Sequence, residues 1–144
     1  MANILIIDDD PTISKLLSIL VCRIGHRAVW KATLETGVAE ASANEYDIIF
    51  LDVYLPDGNG LEALPRICQT SSCPLVIVLT AYSDPDGARL AIKNGAWDYF
   101  SKTDDKAKIQ FQIKRAIEYR KDCENIPKNM SSWILMTLSV TVPK

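Results

Sequence analysis

Residues 47–60 read DIIFLDVYLPDGNG. An unbroken apolar run, Ile48-Ile49-Phe50-Leu51, ends in the carboxylate of Asp52, and a Pro56-Asp57-Gly58 turn follows almost at once. A short continuous apolar run bounded by turn residues predicts a strand buried on both faces. Strands of that kind belong to parallel sheets with helices on either side. The acid at the tip then raises a question of purpose, because a charge at the end of a buried strand is placed there at an energetic cost.

The rest of the chain repeats the pattern. Asn3 to Ile7 (NILII), a weaker RAVWKA from Arg27 to Ala32, LVIVLT from Leu75 to Thr80 and AWDYFSK from Ala96 to Lys102 supply four more strands. Asp10-Pro11 predicts a helix start, with Asp10 as N-cap and Pro11 in the first helical position. In that helix Ile13, Leu16, Leu17, Leu20, Val21 and Ile24 form one apolar face, and Gly25 supplies a left-handed stop. Leu34 to Ala43 predicts a helix of small residues. A third helix is expected from about Asn59 to Thr70, with Pro65 inside it as a kinking residue. Asp84-Pro85 repeats the cap signal for a fourth helix that ends near Gly95. A charged last helix carries the stripe Ile109, Ile113, Ala116 and Ile117. Five strand–helix units predict an α/β domain with a doubly wound parallel sheet, right-handed crossovers, and a ligand site at the carboxyl ends of the strands.

Those ends are polar. The first strand ends in Asp8-Asp9-Asp10, the third in Asp52, the fourth in Thr80, and the fifth just before Lys102. Asp10 is read as a cap. Three acids held together raise one another's pKa, and a divalent cation relieves the repulsion. Mg²⁺ takes hard oxygen ligands and keeps several waters, so two carboxylates and a carbonyl suffice. A lysine and a hydroxyl beside such an ion suit a transferred phosphoryl group, and an aspartate carboxylate is itself a competent nucleophile for it.

The set Asp8-Asp9, Asp52, Thr80-Ala81 and Lys102, together with LDVYLPDGNGLE and GAWDYFSK, resembles the receiver domain of bacterial two-component response regulators. The resemblance covers residues 1–122. It implies a flavodoxin-like five-stranded sheet with strand order 2-1-3-4-5. It also implies that Asp52 is the phosphoacceptor for a sensor histidine kinase, that Asp9 binds Mg²⁺ directly, and that Asp8 holds a metal-bound water. The backbone carbonyl of Tyr54 completes the protein ligands. Thr80 binds a phosphoryl oxygen and moves toward it, Lys102 pairs with Asp52 and then with the phosphate, and Tyr99 is the switch aromatic. The face made by the fourth and fifth strands and helices is the implied contact for an output domain, a downstream partner or a second copy in a homodimer. The module so implied is a bacterial signalling switch that catalyses only its own phosphorylation and dephosphorylation.

Two departures from the family pattern stand out. The side chains two residues past Asp52 and Thr80 help admit or orient the attacking water in this family, and here both are tyrosines, Tyr54 and Tyr82. Neither offers an amide or carboxylate, and a long-lived aspartyl phosphate is expected, with the rings either shielding the site or swinging into solvent. Receivers also usually have a proline with a cis bond after the site lysine, whereas Lys102 precedes Thr103. A cis bond before threonine costs about 2.5–4 kcal/mol against about 0.5–1 kcal/mol before proline. A trans bond, a locally altered loop and a surviving lysine contact are expected.

Two rival classes fit less well. An aspartate-nucleophile phosphatase carries a second Asp where this chain has Tyr54. A flavin-binding electron carrier of similar topology needs a Ser/Thr/Gly phosphate cradle after the first strand, where this chain has DDDPT.

The totals agree with one domain. The chain has 144 residues, 48% hydrophobic and 24% charged, with net charge −2, which points to neither nucleic acid nor membrane. Cys22, Cys68, Cys73 and Cys123 have no zinc spacing and are read as reduced thiols. MANILIIDDD turns acidic where a secretory stretch stays apolar, and a cytoplasmic location is expected. Trp97 is read as packing, His26 as a solvated surface residue, and Lys106, Lys108, Lys114, Arg115, Arg120 and Lys121 as a solvated helix face. Residues 123–144 lie outside the receiver pattern. They are read as a linker, the start of an output region, or a strand packed on the receiver or on a second copy. The apolar stretch from Trp133 to Val142 is far short of the roughly 20 residues needed to span a bilayer, and is expected to be covered or disordered. The segment has no DNA-reading helix. DGNGLEALPRI vaguely resembles regulators of sigma-54-dependent transcription, although no such output domain is present in the sequence.

Overall fold

The computed structural model describes residues 1–81 and 85–124. Five strands form the main sheet: β1 (Asn3–Ile7), β2 (Arg27–Lys31), β3 (Ile48–Asp52), β6 (Leu75–Thr80) and β7 (Asp98–Ser101). A two-residue hairpin, β4 (Tyr54–Leu55) and β5 (Gly58–Asn59), follows β3. The helices are α1 (Pro11–Arg23), α2 (Leu34–Ala43), α3 (Gly60–Cys68), α4 (Pro85–Lys93) and α5 (Lys106–Glu124). The sheet is parallel throughout, in the order β2-β1-β3-β6-β7. Without the hairpin this is the expected 2-1-3-4-5.

The strand pleat sorts the core into two layers. Ile4, Ile6, Ile48 and Phe50 pack with α1 and α5, through Leu17, Val21, Ile109, Ile113 and Ala116. Leu5, Ile7, Ile49 and Leu51 face the other way, onto Ala41, Leu64, Ile67 and Ala91. Each fully buried Leu or Ile contributes about 1.5–3 kcal/mol before the entropy of ordering is charged.

Local chemistry sets the boundaries. The Asp10 carboxylate accepts from Thr12 N at 2.9 Å, with Pro11 in the first turn. At the other end of α1, Gly25 takes φ +86°, while Gly25 N–H donates to Cys22 O and His26 N–H to Val21 O, a Schellman stop. Asn59 caps α3 through Leu61 N at 2.8 Å, and the helix continues through Pro65 for three more residues, to Cys68. It is therefore shorter than the expected span to Thr70. The expected Asp84 cap of α4 lies outside the described residues.

Two surface readings need correction. His26 is only half-exposed, and its Nδ1 accepts from Ala2 N–H at 2.9 Å, so the ring anchors the start of β1 rather than standing in water. Burial, then the nearby terminal amine, lowers its pKa, which keeps Nδ1 free to accept. Arg120 likewise leaves the solvated face. It donates to the carbonyls of Ser72 at 2.5 Å and Cys73 at 2.6 Å and lies 3.5 Å from Asp47. Arg115 stacks over the rings of Trp97 and Phe111, both at 5.8 Å. Trp97 is packing, as expected, at 8% exposure. The four cysteines are free thiols, and no described helix is long and apolar enough to cross a membrane.

Candidate functional site at the carboxyl rim of the sheet

Parallel strands deliver their carboxyl ends to one rim, and the polar residues collect there. Asp8 follows β1 and is fully buried, Asp52 closes β3 at 4% exposure, and Thr80 closes β6 at 9%. Asp9 is exposed. Asp8, Asp9 and Asp52 each offer a carboxylate oxygen, all within 4.8 Å of one another.

Lys102 reaches this group from the loop after β7. Its Nζ lies 3.0 and 2.9 Å from Asp8 Oδ1 and Oδ2, and 3.1 Å from Asp52 Oδ2. Its backbone N–H donates to Thr80 O at 2.7 Å, which ties the lysine loop to the end of β6. The Lys102–Thr103 bond is trans, as expected. Thr103 adds what proline lacks, an N–H that donates to Ser101 Oγ at 3.2 Å, and its hydroxyl lies 2.7 Å from the same oxygen. Asp104 closes the turn by accepting from Ser101 N at 3.1 Å.

The electrostatics follow from the crowding. Burial, then the charge of Asp8, raises the Asp52 carboxyl to about 6 against the opposing pull of Lys102. Burial pulls the Lys102 ammonium down, but the hydrogen bonds and charges of Asp8 and Asp52 outweigh it and raise its pKa. Three carboxylates against one ammonium leave two negative charges in excess. That balance, and an all-oxygen donor set, fit a hard divalent cation such as Mg²⁺.

The remaining expected residues fall as follows. Tyr54 N–H lies 3.4 Å from Asp52 Oδ1, while its ring is 76% exposed, so the ring stands in solvent rather than over the carboxylate. Tyr99 is half-buried on edge strand β7, opposite Val78. Tyr82 lies outside the described residues.

Three contacts at the rim were not legible in the sequence. Gly60 sits so close to β3 that a Cβ there meets Asp52 O at 2.1 Å, which admits only glycine beside the acid. The Asp57 carboxylate, at the hairpin tip, accepts from Leu34 N at 2.8 Å and Glu35 N at 2.9 Å, so the loop after Asp52 caps the start of α2. Those same bonds lower its pKa. The Trp30 indole Nε1–H donates to Asp8 O at 2.6 Å. Asp57 looked like an ordinary turn residue and Trp30 like an ordinary strand aromatic, and no local pattern marks either.

A family model described as the response regulator receiver domain matches residues 4–118. The chain is 36% identical over 117 residues to the KDP operon transcriptional regulatory protein KdpE of Escherichia coli K12, covering 81% of this chain and 52% of KdpE. It is 33% identical over 109 residues to protein PilH of Pseudomonas aeruginosa, covering 74% of this chain and 89% of PilH. Among solved structures it resembles the BeF3-activated receiver domain of DrrB, with a TM-score of 0.74 and 30% identity over 82% of this chain and 98% of that one. DrrB is described as a Thermotoga maritima OmpR/PhoB homolog. The chain spans about half the length of the first curated relatives it matches, 52%, 46% and 45%. With the five-stranded order, the acidic rim and a family match over most of its length, the chain belongs to the response regulator receiver domain family.

Proposed function

We propose that residues 1–122 are a phosphorylation-activated switch, with Asp52 accepting a phosphoryl group from the phosphohistidine of a sensor histidine kinase. The observation that carries this reading is the Lys102 ammonium held 3.1 Å from Asp52 and about 3 Å from Asp8, on a rim whose three carboxylates outnumber it by two charges. An Asp52 oxygen attacks phosphorus, the phosphorus–nitrogen bond breaks, and the imidazole leaves with the electron pair. Lys102 stays beside Asp52 and pairs with the incoming phosphoryl oxygens. Thr80 donates its hydroxyl to one of them and draws β6 toward the site. Asp9, with the Tyr54 carbonyl and Asp52, would hold Mg²⁺, and Asp8 would hold one of its waters. When bound, the ion neutralises charge that builds on the transferred group.

The readout is the face of β6, α4, β7 and α5, with Tyr99 as its switch aromatic. It acts on an output domain, a downstream protein or a second copy of the chain, in the bacterial cytoplasm. A transcriptional output is supported by the name of KdpE, and residues 123–144 fit a linker or the start of such an output region. The described part of that segment, Cys123 and Glu124, ends α5, and residues 125–144 lie outside the described residues. The test is intact-mass analysis of the chain after incubation with acetyl phosphate and Mg²⁺. One added phosphoryl group is expected, and none in Asp52→Asn. Equal uptake by Asp52→Asn refutes the assignment.

A further inference from the structure

The β1–β2 ladder runs out at the rim. Ile7 pairs with Lys31, and Asp8 N–H still donates to Lys31 O at 3.1 Å, but β2 ends there. The Asp8 carbonyl is the next acceptor, and the indole N–H of Trp30 takes it at 2.6 Å. Ser14 Oγ lies farther from it, at 3.5 Å. A carbonyl oxygen buried beside a fully buried aspartate is costly to leave unpaired. Trp30 stands at 43% exposure on an edge strand, with its indole N–H turned inward to this carbonyl.

The bonded carbonyl belongs to the peptide that joins Asp8 to Asp9. Fixing it fixes ψ of Asp8, and with it the direction in which Asp9 leaves the strand. Asp8 needs no such help: Asp10 N–H at 2.9 Å and Lys102 hold its carboxylate. Asp9 is the exposed member of the three, and its backbone is held by the Asp10 N–H bond to Asp8 on one side and by this carbonyl on the other. We propose that Trp30 is a positioning residue for the cation site, acting through the Asp8–Asp9 peptide to present the Asp9 carboxylate to Asp8 and Asp52. Outer partners that orient ligands in this way often change metal affinity tenfold or more. One neutral hydrogen bond to a peptide carbonyl is worth less.

The inference rests on the cation-binding part of the proposed function. The test uses the whole chain, with Mg²⁺ or Mn²⁺ as the only ligand. Trp30→Phe keeps a ring and removes the N–H. Its Mg²⁺ dissociation constant should rise about five- to tenfold, at unchanged circular dichroism. In an Asp9→Ala background the same substitution should change Mn²⁺ affinity less than twofold, since the residue it serves is gone. In the wild type, the Trp30 indole N–H resonance should shift with the same midpoint as Mg²⁺ binding. Wild-type affinity in Trp30→Phe, an undiminished effect in Asp9→Ala, or a static indole resonance each overturns the proposal. A wild-type chain that binds neither ion overturns the switch reading as well, which separates the two failures.

Discussion

Asp8 and Asp52 stand at the ends of β1 and β3, inner strands that are hydrogen-bonded on both sides. Lys102 comes from the opposite construction: it follows β7, the last strand of the sheet, and only its long stem brings the amine to the acids. The carboxylates are set by backbone, while the cation is set by reach. A backbone-set group has no other place to go, so losing it leaves a gap that neighbours do not fill. A group set by reach tolerates changes in the loop beneath it. That is why the departure from proline at Thr103 leaves the lysine contact intact.

The comparison breaks most visibly at Asp52. Asp52→Asn should cut phosphoryl uptake from acetyl phosphate by more than about a hundredfold, since an amide is no nucleophile here. Radiolabel or intact mass reads it, and residual uptake at the wild-type rate would mean that another carboxylate does the work. The metal comes next. Asp9→Ala should weaken Mg²⁺ binding by about tenfold or more, and Asp8→Ala by less, because Asp8 would act through a water. Calorimetry on both variants decides the order, and equal losses would refute the ranking.

Stability sharpens the same contrast. In the fold the Asp52 carboxyl is raised from its ordinary 3.8 to about 6. Between those values the folded protein keeps a proton that the unfolded chain has released. Stability therefore falls as pH rises through that window, and the loss persists above it. Asp52→Asn keeps the shape without the charge. It should be more stable than wild type by about 1–2 kcal/mol at pH 7.5 without metal, and no more stable below pH 4. Denaturant melts at the two pH values measure this, and a gain that is the same at both would contradict the raised carboxyl.

Smaller effects are expected on the sides of the site. Tyr54→Asn places an amide where the exposed ring now stands, and should speed loss of phosphate a few-fold by orienting water. An unchanged half-life would show that this position does not govern hydrolysis here. Thr103→Ala removes one hydroxyl contact to Ser101. It should cost under about 1 kcal/mol and leave phosphoryl uptake unchanged, as a group set by reach predicts.

Much of this was legible because it is local. NILII, LETGVAEASA and LVIVLT predict their elements to the residue, and Asp10-Pro11 its cap, since pattern and capping act over three or four positions. The rim itself follows from strand ends alone. The hairpin β4–β5 was read only as a turn, because two-residue strands carry no periodicity. Trp30, Asp57, His26 and Arg120 escaped for a different reason. Each binds a backbone group more than twenty residues away in the chain, and no short-range pattern encodes such a meeting.

The Arg120 contact has a consequence for the proposed switch. Arg120 fastens α5 to Ser72, Cys73 and Asp47, all at the amino end of the sheet, while Asp52 stands at the carboxyl end of the strand that Asp47 precedes. Asp52 and the point where α5 is moored are therefore at opposite poles, five residues or about 17 Å apart at the usual strand rise. In the switch proposed above, a signal from Asp52 to the end of α5 would have to cross the long axis of the sheet, to a point that Arg120 ties to the loops before β3 and β6.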